Sequence, residues 1–355
     1  MHTCAFFEVS MPVTIKDIAR KAGVSHATVS RALNNHPAIP EKTASVIRDL
    51  ALQMGYLPSA VARGLKTNRS HVLGVIVSRI DNPYFGEIVQ GIEDTLQNTG
   101  YSIFIASSHL DYVHEKTIIQ AFGEHRVDGV IVGSVSFNRD HTELLRQYGI
   151  PIVVINNQSP SDYQFSIAHD DVFGAKQIVR HLIELGHRRI AYLGNINALR
   201  INQDRIRGYE EELEKAGITP DKKLILNLQG GEMENGMEGM TELLSREQCP
   251  SAVFCFNDLI AIGALTTLQK RRMKVPDEIS IAGFDNIPYS AFTSPSLTTF
   301  DQPKRLIGAE AAKMLLNLIA NPELDNDKKK TISKTIRGEL LIRESTAICP
   351  ERRPE

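Results

Sequence analysis

Two hydrophobic rhythms divide this chain. From Val72 onward short apolar runs recur, "VLGVIVS", "YSIFIA", "DGVIVG", "PIVVIN", "RRIAYLG", "SAVFCF" and "ISIAGF", each bounded by polar or glycine residues. Runs of this length without internal alternation predict strands buried on both faces, the mark of a parallel sheet. Between them lie stretches with a helical period. "PYFGEIVQGIEDTLQNTG" puts Ile88, Ile92 and Leu96 on one inward stripe, and "DDVFGAKQIVRHLIELG" is a second such helix. Strands and helices alternating in this way predict an α/β core of doubly wound sheets, in two similar halves.

Before Tyr56 only the helical rhythm is present. Thr14 is a suitable N-cap for a helix carrying Ile15, Ile18 and Ala19, and Gly23 is suited to end it in a left-handed turn. Ser25 then caps a second helix. At 100° per residue Val29, Ala32 and Leu33 face one side of it, while His26, Ala27, Ser30 and Arg31 project together from the other. A third helix, from about residue 41 to 54, carries Ala44, Ile47, Leu50 and Ala51. Two short helices joined by a tight turn and braced by a third predict an all-α helix-turn-helix unit. Small Ala27 and Ser30 permit close approach to a groove, His26 and Arg31 can reach base edges, and the Arg fork matches guanine O6 and N7. With Thr14, Ser25 and Thr28 these are the candidate DNA contacts.

Charge strengthens that reading. The formal net charge is −2, yet between Met11 and Arg69 nine Lys/Arg face three Asp/Glu, leaving the remainder acidic. A polyanion partner is therefore expected for the first unit only. A length of 355 residues with 42% hydrophobic content allows two or three folded units. Cys4, Cys249, Cys255 and Cys349 are scattered without CxxC spacing, which predicts reduced thiols and neither a metal site nor a disulfide framework. No cofactor is expected. There is no apolar run of membrane-spanning length, and "MHTCAFFEVS" lacks a basic start and a long apolar stretch, so the expected location is the cytoplasm. Residues 1–10, preceding Met11, are expected to be a disordered or artefactual extension.

In "YLPSAVARGLKTNRSH", Ser59 can cap the segment "SAVARGL", too brief to be a stable helix alone. Here, and in "VTIKDIARKAGVSHATVSRALN", the chain resembles the lactose-repressor/purine-repressor (LacI/GalR) family of bacterial transcription regulators, from Val13 to about Glu344. The resemblance implies a hinge helix that folds on DNA and pairs with its twin in a homodimer. Leu65 would wedge into the central base step from the minor groove, with Ala62 beside it and Lys66 on the backbone. It also implies a core of two periplasmic-binding-protein-like subdomains joined by three crossovers around a ligand cleft. The organisation expected is 11–58 for DNA binding, 59–71 for hinge and linker, 72–344 for the core and 345–355 for a tail. Subdomain one would hold 72–168 with 301–327, and subdomain two 169–300 with 328–344.

Doubly wound sheets bind ligands beyond the carboxyl ends of their strands. Tyr84, Phe85, Asn156, Asn257 and Asp285 fall there, and the resemblance adds Arg205 in "DRIRGY" and Gln302 in "TTFDQ". Carboxylate, amide and guanidinium groups around an aromatic platform suit a polyhydroxylated effector. Each also has a scaffold role open to it: Asn257 as a helix cap, Asp285 as a turn former, Arg205 as an ion-pair partner, the two aromatics as core. Many relatives carry a stacking aromatic five positions before the glycine matching Gly236, where this chain has Gly231. A larger ligand, an acidic sugar, a phosphorylated corepressor or a partner protein therefore stay open beside an ordinary hexose. GxGxxG after the first strand, GxxxxGK[ST], GxSxG and HExxH are all missing, which speaks against a sugar- or nucleotide-processing enzyme. The expected protein is a homodimeric repressor on a pseudo-palindromic operator, with DNA affinity linked to a small-molecule effector, a sugar or sugar derivative.

Overall fold

The computed structural model describes residues 13–56, 69–134, 136–155, 163–326 and 331–350. It separates into a unit ending at Ser70 and a larger unit beginning at His71. In the first, α1 (Ile15–Ala22), α2 (His26–Leu33) and α3 (Glu41–Gln53) enclose Ile18, Val29, Ala32, Ala44 and Ile47, all essentially without solvent contact. Gly23 turns the chain between α1 and α2 at φ 68°, a left-handed conformation that glycine adopts without penalty. Ser25 Oγ accepts the Thr28 N–H at 3.1 Å and so caps α2 as expected.

The larger unit contains two six-stranded sheets. The first has the order β11-β5-β4-β3-β1-β2 and is parallel throughout: β1 (Val72–Val77), β2 (Ser102–Ser107), β3 (Gly129–Gly133), β4 (Ile152–Ile155), β5 (Phe165–His169) and β11 (Ile332–Ile336). The second has the order β12-β10-β9-β8-β6-β7: β6 (Ile190–Asn195), β7 (Ile225–Leu228), β8 (Ala252–Cys255), β9 (Ser280–Asp285), β10 (Thr298–Asp301) and β12 (Glu339–Leu341), with only β12 antiparallel. Helices α4 (Pro83–Leu96), α5 (Tyr112–Glu124), α6 (Arg139–Gln147) and α11 (Lys304–Ala320) accompany the first sheet. Helices α7 (Asp171–Glu184), α8 (Leu199–Lys215), α9 (Met233–Leu244) and α10 (Asp258–Lys270) accompany the second. Ile88 and Ile92 are fully buried and Leu96 nearly so, which is the predicted stripe of α4.

The two halves use the same packing device. A Cβ placed on Gly91 would lie 2.0 Å from Arg305 O, and one on Gly308 2.0 Å from Ile88 O, so α4 and α11 cross backbone to backbone. Helices α9 and α10 repeat this with Gly236 against Ile260 O at 2.1 Å and Gly263 against Met233 O at 2.0 Å.

Two expected boundaries change. The stretch 328–344 does not belong wholly to the second half, because Ile332–Ile336 pairs with Phe165–His169 on the edge of the first sheet and only Glu339–Leu341 joins the second. Residues 345–350 are not a free tail. Ser345 Oγ donates to Ile281 O at 2.6 Å and accepts the Thr298 N–H at 2.8 Å, and Cys349 N–H reaches Leu185 O at 2.9 Å. Their polar sequence hides the docking because the bonds go to backbone groups of the second sheet and of the turn after α7. His187 belongs to this bracket: its ring is buried and reaches Ser251 Oγ, Ser280 Oγ and Ala347 O at 2.9–3.1 Å. Cys249, Cys255 and Cys349 are unpaired, and among the described residues no helix is long and apolar enough to cross a membrane.

Candidate functional site

On α2 the buried residues are Val29 and Ala32, while Ser25, His26, Ala27 and Arg31 are exposed and Thr28 and Ser30 half-buried. Six of the seven candidate contacts of this unit thus sit together at the start and along the outer face of α2. Thr14, exposed at the start of α1, donates from both its N–H and its hydroxyl to Asp17 Oδ2, at 3.0 and 2.6 Å. Ala62, Leu65 and Lys66 lie outside the described residues, as does Asn156 of the core.

In the larger unit the carboxyl ends of the two sheets border a cleft of about 370 Å³. Tyr84, Phe85, Arg205, Asn257, Asp285 and Gln302 all line it. Tyr84 and Phe85 open α4, their rings edge to face at 5.2 Å, and Asn82 fixes them by accepting the Tyr84 N–H at 3.0 Å. The Tyr84 hydroxyl donates to Gln302 Oε1 at 3.0 Å, and Gln302 Nε2 donates to Asp285 Oδ1 at 2.5 Å. One amide therefore ties the aromatic wall of the first half to the carboxylate of the second.

Arg205 is the centre of the second wall. Its Nε donates to Asp171 Oδ1 at 2.7 Å, its Nη1 donates to Phe256 O, and its Nη2 lies 3.7 Å from Asp285 Oδ1. The guanidinium carbon stands 3.7 Å from the Phe284 ring centre and 4.3 Å from that of Phe256. Asp285 and Asn286 have φ of 108° and 50°, unfavourable for residues with a Cβ. Buried Lys304 clamps this turn, its Nζ donating to Asp285 O at 2.5 Å and to Asn286 O at 3.1 Å.

Against known proteins, residues 14–59 match the model described as bacterial regulatory proteins, lacI family, and residues 179–346 match a periplasmic binding protein-like domain. The HTH-type transcriptional repressor PurR of Actinobacillus pleuropneumoniae serotype 3 (strain JL03) is 34% identical over 333 residues, 94% of this chain and 98% of that protein. The chain belongs to the lacI family. It is thereby a DNA-binding repressor of transcription and not an enzyme. The lac repressor dimer bound to operator and an anti-inducer superposes with a TM-score of 0.82 over 95% of this chain and 100% of that one; at 24% identity this bears on the fold alone. A lacI-family regulator of Enterococcus faecium with bound ribose is 29% identical, with a TM-score of 0.70, over 78% of this chain and 99% of that one.

Within this lacI-family cleft, burial sets the charge states. It raises Asp285 from 3.8 to about 6, against the pull of Arg205 and Lys304. It raises Asp258, one turn behind the cleft, to about 8, with the neighbouring Asp285 adding to the effect. Asp258 accepts from Thr299 Oγ1 at 2.6 Å and from the Ile287 N–H at 2.8 Å, bracing the strand ends that carry Asp285. His169 also borders the cleft, and burial lowers its pKa, so the ring is neutral at pH 7. Its Nε2 lies 3.5 Å from Asp171 Oδ2, and its buried Nδ1 has no hydrogen-bond partner among the described residues.

Asn257 takes the helix-cap role open to it from sequence and also lines the cleft. Its Oδ1 caps α10 by accepting the Ile260 N–H at 2.9 Å, and its Nδ2 donates to Gly231 O at 2.9 Å. Sequence reasoning missed His169, Asn195, Asn235 and Asp171. The strand-end rule that found Asn257 would have found Asn195, which ends β6 one residue after "RRIAYLG", and His169, had "FSIAH" been recognised as a strand.

Proposed function

We propose that this repressor reads a two-fold symmetric operator with the outer face of α2 as a homodimer in the cytoplasm, and that a small polyhydroxylated molecule, a carbohydrate or close derivative, sets its DNA affinity from the cleft. The observation that carries the effector reading is the relay Tyr84–Gln302–Asp285–Arg205, which places an aromatic platform and a carboxylate–guanidinium pair around one cavity of suitable size. The Enterococcus faecium regulator with bound ribose supports the ligand class. A phosphorylated effector is disfavoured, because the arginines lining the cleft are already paired, Arg205 with Asp171 and Arg79 with Asp81 at 2.5 Å. Arg31 would supply base reading, and Leu65, Ala62 and Lys66 the minor-groove contacts of the hinge.

Effector binding that favours one relation of the two halves over another would shift operator affinity by linkage. The test is selection of duplexes from a randomised pool, followed by fluorescence anisotropy on the winner with and without candidate carbohydrates. A palindromic winner whose affinity responds to a carbohydrate is expected. Selection without a symmetric consensus refutes the dimeric reading, and binding indifferent to every carbohydrate refutes the effector class.

A further inference from the structure

The wall facing Phe85 carries asparagines whose orientation chemistry fixes. A backbone N–H can only donate, so whichever side-chain atom meets it must be the carbonyl oxygen. Asn195 Oδ1 accepts the Asn197 N–H at 3.0 Å, Asn257 Oδ1 accepts the Ile260 N–H at 2.9 Å, and Asn235 Oδ1 accepts the Glu232 N–H at 3.2 Å. With their carbonyls held in this way, the groups these residues offer are amide N–H donors, one hydrogen of Asn257 Nδ2 being already given to Gly231 O at 2.9 Å. Two of them converge on Gly231. A Cβ built there would lie 2.8 Å from Asn195 Nδ2 and 3.2 Å from Asn257 Nδ2, so the nitrogens flank one point and a larger side chain would displace them. Helices α9 and α10, of 12 and 13 residues, both begin at this corner and add partial positive charge to it. Glu232 is the carboxylate bordering the corner. It is paired with Arg79 Nε at 3.6 Å, which offsets part of its charge, and burial raises its pKa.

Apart from Glu232, the acceptors lie elsewhere in the cleft: the buried Nδ1 of His169, without a partner among the described residues, and the Asp285 carboxyl group. We infer that the effector is a polyhydroxylated monocarboxylate, a sugar acid, whose carboxylate takes the N–H groups of Asn195 and Asn257 above Gly231 while its hydroxyls donate to His169 Nδ1 and Asp285. A carboxylate accepts only, which matches groups that donate only. The inference rests on the cleft being the effector site.

The test uses matched pairs with the full-length protein: D-gluconate and D-glucitol, D-glucuronate and D-glucose, D-galacturonate and D-galactose, in thermal-shift and calorimetric titrations. The acid of at least one pair should bind more than about tenfold tighter than its neutral partner. Asn195→Asp keeps the oxygen that accepts from Asn197 but replaces the donor by a negative charge. It should leave the ligand-free melting temperature unchanged and weaken the acid more than about tenfold, with a smaller effect on a neutral sugar. Neutral partners that bind as well as their acids in every pair, or wild-type affinity of Asn195→Asp for the acid, overturn the carboxylate assignment and leave the cleft reading intact. No binding by any member of any pair overturns both.

Discussion

Replacing Arg205 by Met tests its scaffold role. The substitution keeps most of the stem and removes the guanidinium, so Asp171, 10% exposed, and Asp285, 12% exposed, lose the cation between them. Removing one partner of a buried ion pair costs about 3–5 kcal/mol, because the remaining charge stays desolvated. Loss of the stacking on Phe284 and Phe256 adds to this. In a unit of this size each kcal/mol moves the midpoint by roughly 2–4 °C, so calorimetry of Arg205→Met at neutral pH should show a drop on the order of 10 °C. Asp171→Asn in the same molecule removes the stranded charge and should restore part of the loss, a coupling of roughly 1 kcal/mol or more in a double-mutant cycle. A single variant melting within about 3 °C of wild type, or strictly additive changes, would refute the claim that Arg205 is a scaffold cation as well as a cleft residue. The effector role of the Asp285–Arg205 pair is better tested through Asp285→Asn, which preserves shape and the oxygen that accepts from Gln302.

Three further outcomes are expected. Arg31→Ala, on the exposed face of α2, should cost about 1–3 kcal/mol on the selected operator and relax base preference at one position while melting stays unchanged; an equal loss on random DNA would make Arg31 a phosphate contact. Gly263→Ala forces a Cβ to within 2.0 Å of Met233 O, so α9 and α10 must part and stability should fall by about 1–3 kcal/mol; an unchanged denaturant midpoint would contradict the backbone contact. Asp258 has a folded pKa of about 8, above its usual 3.8, so the folded state holds that proton more tightly and stability is lost as pH rises through 8. Melting temperature should therefore decline from about pH 6, above the folded pKa of Asp285, to about pH 8 and level off beyond it, and the decline should flatten in Asp258→Asn; a wild-type profile flat between those values would contradict the shift.

Strands were legible in the sequence where both faces are apolar. β1, β3, β4, β6, β8 and β9 sit inside their sheets and read as continuous hydrophobic runs, and the exposed edge strand β2 was also apolar enough to be seen. β10, "TTFD", was not, although its threonines are fully buried, because Thr299 is satisfied by Asp258 and Thr298 by Ser345 and Thr346, partners far away in sequence. β5, β7, β11 and β12 are short or polar, and β7, β11 and β12 close sheet edges where one side needs no apolar partner. The helix-turn-helix unit was read nearly residue for residue, since periodicity and capping are local signals. In the cleft, single strand-end residues were foreseeable, but the pinning of asparagine carbonyls by backbone N–H groups depends on loop geometry that no local pattern encodes.

The cleft also carries its own disfavoured features in the places where a ligand would act. Asp285 is held at φ 108° by Lys304, its carboxyl is buried beside that of Asp171, and His169 Nδ1 is buried without a donor among the described residues. A buried acceptor left open costs about 1–3 kcal/mol, which a hydroxyl donated by an effector would recover. That gain goes only to an arrangement in which the ligand reaches both walls, because Gln302 fixes Asp285 on one side to Tyr84 on the other. Binding energy of this kind is a difference between two relations of the halves, and only such a difference can move the equilibrium that operator affinity senses. Gln302→Ala should accordingly leave effector affinity less reduced than the response of operator binding to it, and a variant that lost both in equal measure would place Gln302 among the ligand contacts and outside the coupling.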